Sequence, residues 1–159
     1  MAGTNAVYRV MTVDDIPMVQ LVERKCFTTP WSRNIFVSEV TRNDNAIYLV
    51  AEVGERIVGY AGIWIILDEG HITNIAVDPA FQRQGIGHGL MDVLTTAAVK
   101  RGVIAMTLEV RVSNSSAQAL YAKLGFVPNG IRKEYYQDDR EDALIMWREL
   151  GAEWTSAGN

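Results

Sequence analysis

The chain has 159 residues, 48% hydrophobic and 21% charged, enough apolar content for one domain with its own core. Fifteen Lys and Arg against 19 Asp and Glu give a net charge of −4, which argues against direct nucleic-acid binding and favours a basic partner such as a peptide. A single cysteine, Cys26, excludes an internal disulfide; the opening "MAGTNAVYRV" lacks the parts of a secretion signal, and no apolar run reaches the ~18 residues of a membrane span, so a soluble cytoplasmic protein is expected.

A short strand near "AVYRV" gives way, at the N-cap candidates Asp14 and Asp15, to a helix carrying Ile16, Val19, Leu21, Val22 and Cys26. "TTPWS" interrupts the pattern, and Ser32 can cap a second helix running to about Thr41. "AIYLVAEV", "IVGYAGIWIIL" and "HITNIAV", separated by the turns "GER" and "DEG", read as an antiparallel meander over residues 46–77. From Gly85 the spacing of Ile86, Leu90, Leu94 and Ala97 or Ala98 predicts a helix, and "IAMTLEV" beyond Gly102 a strand, so a crossover and at least one parallel pair follow. "NSSAQALYAKLGF" begins with capping residues and stops at Gly125, a fourth helix. Two strands, about Phe126 to Tyr135 and Ala143 to Trp147, flank the charged loop "QDDRED". Residues 1–150 are expected to form the single domain, with 151–159, Trp154 included, a flexible tail.

Three segments carry chemistry. In "QRQGIGH", residues 82–88, Gly85 and Gly87 open the backbone at a helix start, where N–H groups can converge on an anion. No Gly-Lys-Ser/Thr follows, and Leu90 occupies the third glycine position of a dinucleotide fingerprint, so neither of those motifs is present. The alternative is a turn with no ligand. In "MTLEVRV", Thr107, Glu109 and Arg111 share one face of an apolar strand. Partial burial would make Glu109 harder to ionise and raise its pKa toward that of a useful general base; pairing with Arg111 is the structural alternative. Tyr121 falls on the apolar face of the fourth helix, either packing or placing its hydroxyl at a site. Trp31 reads on composition as a core residue, Cys26 reads as a buried structural thiol, and two histidines with one cysteine offer no metal-ligand spacing.

Taken together, "TTPWS", "LDEGHITNIAVDPAFQRQGIG", "LEVRVSNSSAQALYAKLGF" and "YYQDDREDALIM" resemble the GCN5-related N-acetyltransferase (GNAT) superfamily, and within it the RimI-like ribosomal-protein-alanine N-acetyltransferases. The likeness runs from about Tyr8 to Leu150. It implies an α/β fold with a mixed, mostly antiparallel, splayed sheet of about seven strands flanked by about four helices. It also implies acetyl-CoA as cosubstrate and no metal. The acceptor would be a protein or peptide N-terminal amine, the N-terminal alanine of a ribosomal protein, with no nucleic acid or membrane as partner.

Residue by residue, the resemblance gives Glu109 the role of general base and Tyr121 that of the acid protonating the leaving thiolate. Arg83, Gln84, Gly85, Ile86, Gly87 and His88 would hold the cofactor's pyrophosphate, Asn114 would contact the cofactor, and the backbone of Ile75, Ala76 and Val77 would bind the acetyl carbonyl and pantetheine. Trp31 and Tyr135 would border the peptide, with Tyr136 beside them and "QDDRED" drawing in basic residues. Two other readings stay open: a lysine or small-amine acetyltransferase of the same fold, and an acyl-CoA-binding sensor without turnover.

Overall fold

The computed structural model describes residues 5–27 and 29–151; Trp154 and the expected tail beyond Gly151 lie outside the described residues. Strands β1 (Ala6–Val10), β2 (Ala46–Val53), β3 (Arg56–Ile66), β4 (Glu69–Val77), β5 (Ala105–Arg111), β6 (Val127–Arg132) and β7 (Ala143–Glu149) form one sheet in the order β1-β2-β3-β4-β5-β7-β6. Helices α1 (Ile16–Cys26), α2 (Arg33–Arg42), α3 (Ile86–Lys100) and α4 (Ser115–Lys123) flank it. Every strand pair is antiparallel except β4–β5, which the α3 crossover makes parallel.

The central strands β2 and β3 are buried on both faces, which is why they read as nearly unbroken apolar runs. On one face Leu49, Ala61, Ile63, Met106, Leu108 and Val110 pack against Leu90 and Leu94 of α3 and Tyr121 of α4. On the other, Tyr48, Val50, Tyr60 and Ala76 pack against Ile16, Val19 and Val22 of α1 and Phe36 of α2. Leu21, expected with the apolar residues of α1, is instead 54% exposed, one position off the buried stripe.

Two other expectations are corrected. Asp15 does stand at the N-cap position of α1, but its side chain makes no cap bond; a 3-10 turn, Val13–Asp15, precedes the helix, and the Asp15 carboxylate turns back to the Arg9 guanidinium at 2.7 and 2.8 Å and to Thr12 N–H at 2.7 Å. The sixth strand ends at Arg132, not Tyr135. Asp142 accepts the Glu134 N–H at 2.9 Å and the Lys133 ammonium at 3.2 Å, and Glu134 takes a left-handed φ of 51°, so the chain turns away from the ladder.

Candidate active site

The site begins where the parallel pair fails. β4 and β5 are joined only from Glu69 to His71 and from Ala105 to Thr107; beyond that rung β5 stays with β7 along its whole length while β4 continues to Val77 without a β5 partner. Just past the last rung, Gly62 pairs with Asn74 and Ile63 with Ile72, which leaves Thr73 as the extra residue of a bulge. A bulge bends its strand and increases the twist, and here it turns Ile75, Ala76 and Val77 away from β5. The backbone edge of those residues therefore faces a gap in the middle of the sheet.

Glu109 stands beside this gap. Strand alternation sends Leu108 and Val110 into the α3 side and Glu109 to the α1–α2 side, where its side chain is only 6% exposed. His71 Nε2 lies 2.6 Å from Glu109 Oε1, Arg132 Nε donates to Oε2 at 3.3 Å, and the Tyr135 hydroxyl donates to Oε1 at 3.4 Å. Burial works to raise the Glu109 pKa, but the hydrogen bond and charge of His71, with the Arg132 guanidinium, outweigh it and hold the carboxyl below its ordinary value. This reverses the upward shift expected from burial alone. The alternative partner, Arg111, is not on Glu109.

Arg111 instead reaches the loop between β6 and β7. It donates to Asp138 at 2.9 and 3.0 Å, to Asp139 at 2.9 and 3.0 Å and to Glu141 at 3.1 Å, and its guanidinium lies 4.0 Å from the centre of the Tyr136 ring. Three carboxylates of "QDDRED" are thus occupied within the protein, which reduces their pull on a basic peptide. Their effect is local: the loop is drawn down on the end of β5, and Tyr135, edge-on to Tyr136 with centroids 5.0 Å apart, is held over Glu109.

The opposite wall comes from α1 and α2. Trp31 packs against Phe36 (5.2 Å between centroids) and Tyr48 (6.3 Å), and Phe36 in turn against Tyr60. Glu39 of α2 gathers the Tyr48 hydroxyl at 2.6 Å, the Trp64 indole N–H and the Asn43 amide, pinning the helix to β2 and β3. Trp64 presents its ring edge-on to His71 at 6.4 Å. Trp31 and Tyr135 therefore belong to two walls on the same face of the sheet, with His71, Thr73 and Glu109 on the floor between them.

At the far end of β4, Asp78 caps a 3-10 turn, Pro79–Phe81, and the chain coils into α3. Arg83 and Gly85 are both left-handed, at φ 63° and 83°, and the first turn of α3 has neither a side-chain cap nor an acidic residue. The three glycines of the turn have three different reasons. Gly85 is required by its φ. A Cβ on Gly89 would lie 2.1 Å from the Tyr8 hydroxyl oxygen, so packing requires it. A Cβ on Gly87 would meet only ordinary contacts, Leu120 and Val77 at 3.8 Å, so nothing in the protein demands glycine there. An open backbone at an uncapped helix start is able to accommodate an anion.

The remaining predicted residues are placed as follows. His88 pairs with Asp92 one turn along α3 at 3.1 Å. Asn114 caps α4, its side-chain oxygen accepting the Ala117 N–H at 3.1 Å. Tyr121 is buried on the α3–α4 side with its ring edge-on to Phe126 at 6.0 Å; burial, with a smaller effect of Tyr136, raises its pKa well above the ordinary phenol value. It thus lies across the sheet from Glu109, with the β4–β5 gap between the two faces. Cys26 donates to Val77 O at 3.4 Å, and burial, with Asp78 and Glu23, raises its thiol pKa, which suits a structural residue and not a nucleophile. Among the described residues no group of three or more His, Cys, Asp or Glu side chains could hold a metal ion, and no helix is long and apolar enough to cross a membrane.

Two contributors escaped the sequence reading. His71 bonds a residue 38 positions away on a strand reached through a crossover helix, and nothing local marks it. Arg132 approaches the same carboxylate from β6.

Comparison with known proteins places the chain among acetyltransferases of one family and fold. The family model for the Acetyltransferase (GNAT) family matches residues 16–126. A Bacillus subtilis (strain 168) protein provisionally named ribosomal protein bS18-alanine N-acetyltransferase is 44% identical over 144 residues, 91% of this chain and 95% of that protein. The ribosomal protein bS18-alanine N-acetyltransferase of Escherichia coli (strain K12) is 41% identical over 136 residues, 83% and 89% of the two chains. The crystal structure of the ribosomal-protein-S18-alanine N-acetyltransferase from Escherichia coli superposes with a TM-score of 0.82 at 36% identity, covering 92% of this chain and 97% of that one.

Proposed function

The chain belongs to the Acetyltransferase (GNAT) family, in its RimI-like branch, and on that premise we propose that it moves an acetyl group from acetyl-CoA to the N-terminal α-amine of a protein, the alanine of a ribosomal protein. The observation that carries the reading is the parting of β4 from β5 at His71, with Glu109 on one face of the opening and Tyr121 on the other. A reaction that joins two substrates needs two approaches to one point, and an opening through a sheet supplies them.

Acetyl-CoA brings a thioester carbonyl open to attack by an amine; the rest is the work of this chain's residues. The turn from Arg83 to His88 would hold the pyrophosphate on the first N–H groups of α3, with Asn114 at the neighbouring helix start. The edge of Ile75, Ala76 and Val77, which no β5 residue pairs, would take the pantetheine amide and polarise the acetyl carbonyl. On the other face Trp31 and Tyr135 would border the peptide, and the ionised Glu109 would attract its terminal ammonium. An ammonium has no lone pair, so Glu109, directly or through water, must take one proton before attack. Tyr121, kept neutral by burial, would give its hydroxyl proton to the departing thiolate and recover one from the amine nitrogen, so that one proton in total leaves with each turnover.

No covalent enzyme intermediate is required; the Cys26 thiol, half-buried and not, as expected, fully buried, is engaged with Val77 O. The test is continuous release of free thiol from acetyl-CoA with a peptide bearing a free N-terminal alanine, alongside mass spectrometry of protein N-termini in cells with and without this protein. Thiol release that needs the peptide, and one N-terminus that loses its acetyl group when the protein is absent, are expected. An acyl-CoA sensor would bind acetyl-CoA and give neither.

A further inference from the structure

Glu23 of α1 is 1% exposed, and burial pushes its carboxyl up to about 7 against the opposing pull of one backbone N–H. That N–H belongs to Trp31 and lies 2.9 Å from Oε2, whereas Oε1 is buried with no hydrogen-bond partner among the described residues. A buried carboxyl with one oxygen unpaired costs stability compared with an apolar side chain of the same size. Packing therefore does not account for it.

What Glu23 does supply is a fixed point for the segment that joins α1 to α2. The chain leaves α1 at Phe27, whose N–H closes the helix on Glu23 O at 2.9 Å, and enters α2 through Ser32, whose hydroxyl caps Ile35 at 3.2 Å. Between them Pro30 has no N–H to offer. The Trp31 N–H bond to Glu23 ties this segment back to α1, and one residue's peptide plane sets where the indole stands against Phe36 and Tyr48. Tyr48 is fixed independently by Glu39, so the wall is rigid if Trp31 is held and loose if it is not.

We propose that Glu23 is a positioning residue for the peptide substrate, its buried carboxyl holding Trp31 against Tyr48 so that the wall facing Glu109 is formed before the peptide arrives. The proposal rests on reading the space between Trp31 and Tyr135 as the peptide site. A preformed wall spares the peptide the ordering of that segment on binding, so the effect falls on peptide affinity and not on the acyl-transfer step or on acetyl-CoA.

The experiment compares Glu23→Leu and Glu23→Gln with the wild type in steady-state kinetics and in hydrogen exchange of the Trp31 amide. Glu23→Leu removes the acceptor: the peptide KM should rise by roughly 10-fold, while kcat and the KM for acetyl-CoA stay within about 2-fold, and the Trp31 amide should exchange at least about 10-fold faster. Glu23→Gln keeps an oxygen that can accept the Trp31 N–H and should restore both measurements. A fall in kcat at unchanged peptide KM would overturn the proposal by placing Glu23 in the chemistry, and an unaltered Trp31 amide would overturn it by removing the strut. A freed Trp31 amide with unchanged peptide KM would show that the segment is held but does not serve the peptide. Should the wild type turn over no N-terminal peptide, the peptide reading fails, and this proposal with it, even if exchange shows that Glu23 holds Trp31.

Discussion

His71 stands on the last rung before β4 and β5 part, and its imidazole meets the carboxylate of Glu109, two residues beyond that rung on β5, at 2.6 Å, so the residue that ends the pairing also holds the candidate base. The contact fixes the sign of a pH effect. Burial alone would raise the Glu109 pKa, and His71, with Arg132, brings it below the ordinary value. The bond's contribution to stability is therefore present above the ordinary carboxylate range and is lost as pH falls through the lowered pKa. In His71→Ala, with burial opposed only by Arg132, Glu109 should titrate at a higher pH. The acid limb of the kcat/KM profile should then move upward in pH relative to wild type. An acid limb that stays in place would assign that ionisation to another group.

Glu109→Gln should keep acetyl-CoA affinity and lose roughly 10²-fold or more in turnover at neutral pH, the usual scale of help from a positioned base. Calorimetric titration with acetyl-CoA separates this outcome from a folding defect. Nearly full activity with reduced thermal stability would make the cluster of His71, Arg132 and Tyr135 around Glu109 a structural device.

Gly87 and Gly89, two residues apart, should fail in different ways. At Gly87 a Cβ meets only ordinary contacts, so in Gly87→Val the fold should persist while the dissociation constant for acetyl-CoA rises, the side chain obstructing approach to the α3 N-terminus. Gly89→Val drives a side chain into Tyr8 and should lower the melting temperature. Equal acetyl-CoA binding by wild type and Gly87→Val would remove the phosphate role from this turn.

Tyr121→Phe leaves the ring against Phe126 and deletes only the hydroxyl. Turnover should fall while both substrate affinities hold, and the defect should shrink with a thioester whose leaving thiol is more acidic, because such a thiolate departs without a proton. A wild-type rate would make Tyr121 a packing residue of the α3–α4 face.

Much of this molecule is legible from local pattern. The alternation of Met106, Leu108 and Val110 against Thr107, Glu109 and Arg111 gives both the strand and the face that Glu109 takes. Ser32 and Asn114 mark the starts of their helices as capping chemistry requires. What local pattern lacks is partners that the topology delivers from afar. Arg111 shares a face with Glu109, yet its long side chain finds three carboxylates in a loop that only the β5–β7 pairing brings within reach. Glu109 looked like a base made stronger by burial because burial is readable from apolar neighbours, whereas His71 and Arg132 are not. Glycine turns have the same limit: "GIGHG" looks uniform, and only the fold separates the glycine that answers to φ from the one that answers to Tyr8 and the one that answers to neither.

The lowered pKa of Glu109 bears most directly on which amine is acetylated. A carboxylate held below its ordinary value is fully ionised at neutral pH, well suited to attract an ammonium but weak at removing its proton. The acceptor that such a base can serve is the one that gives up its proton most readily. An α-amine has a pKa near 8 and a lysine amine near 10.4, a difference of about 2.4 units, or roughly 3 kcal/mol of extra deprotonation cost for lysine at pH 7. We therefore expect a peptide with a free N-terminal alanine followed by basic residues to be acetylated at its α-amine. Its kcat/KM should exceed, by about 10-fold or more, that of the same peptide with a blocked N-terminus and a free lysine. Raising the pH toward 9 should narrow the gap, because the lysine penalty shrinks once the α-amine is already neutral. Equal or better use of the blocked, lysine-bearing peptide at pH 7 would instead make this a lysine acetyltransferase of the same fold.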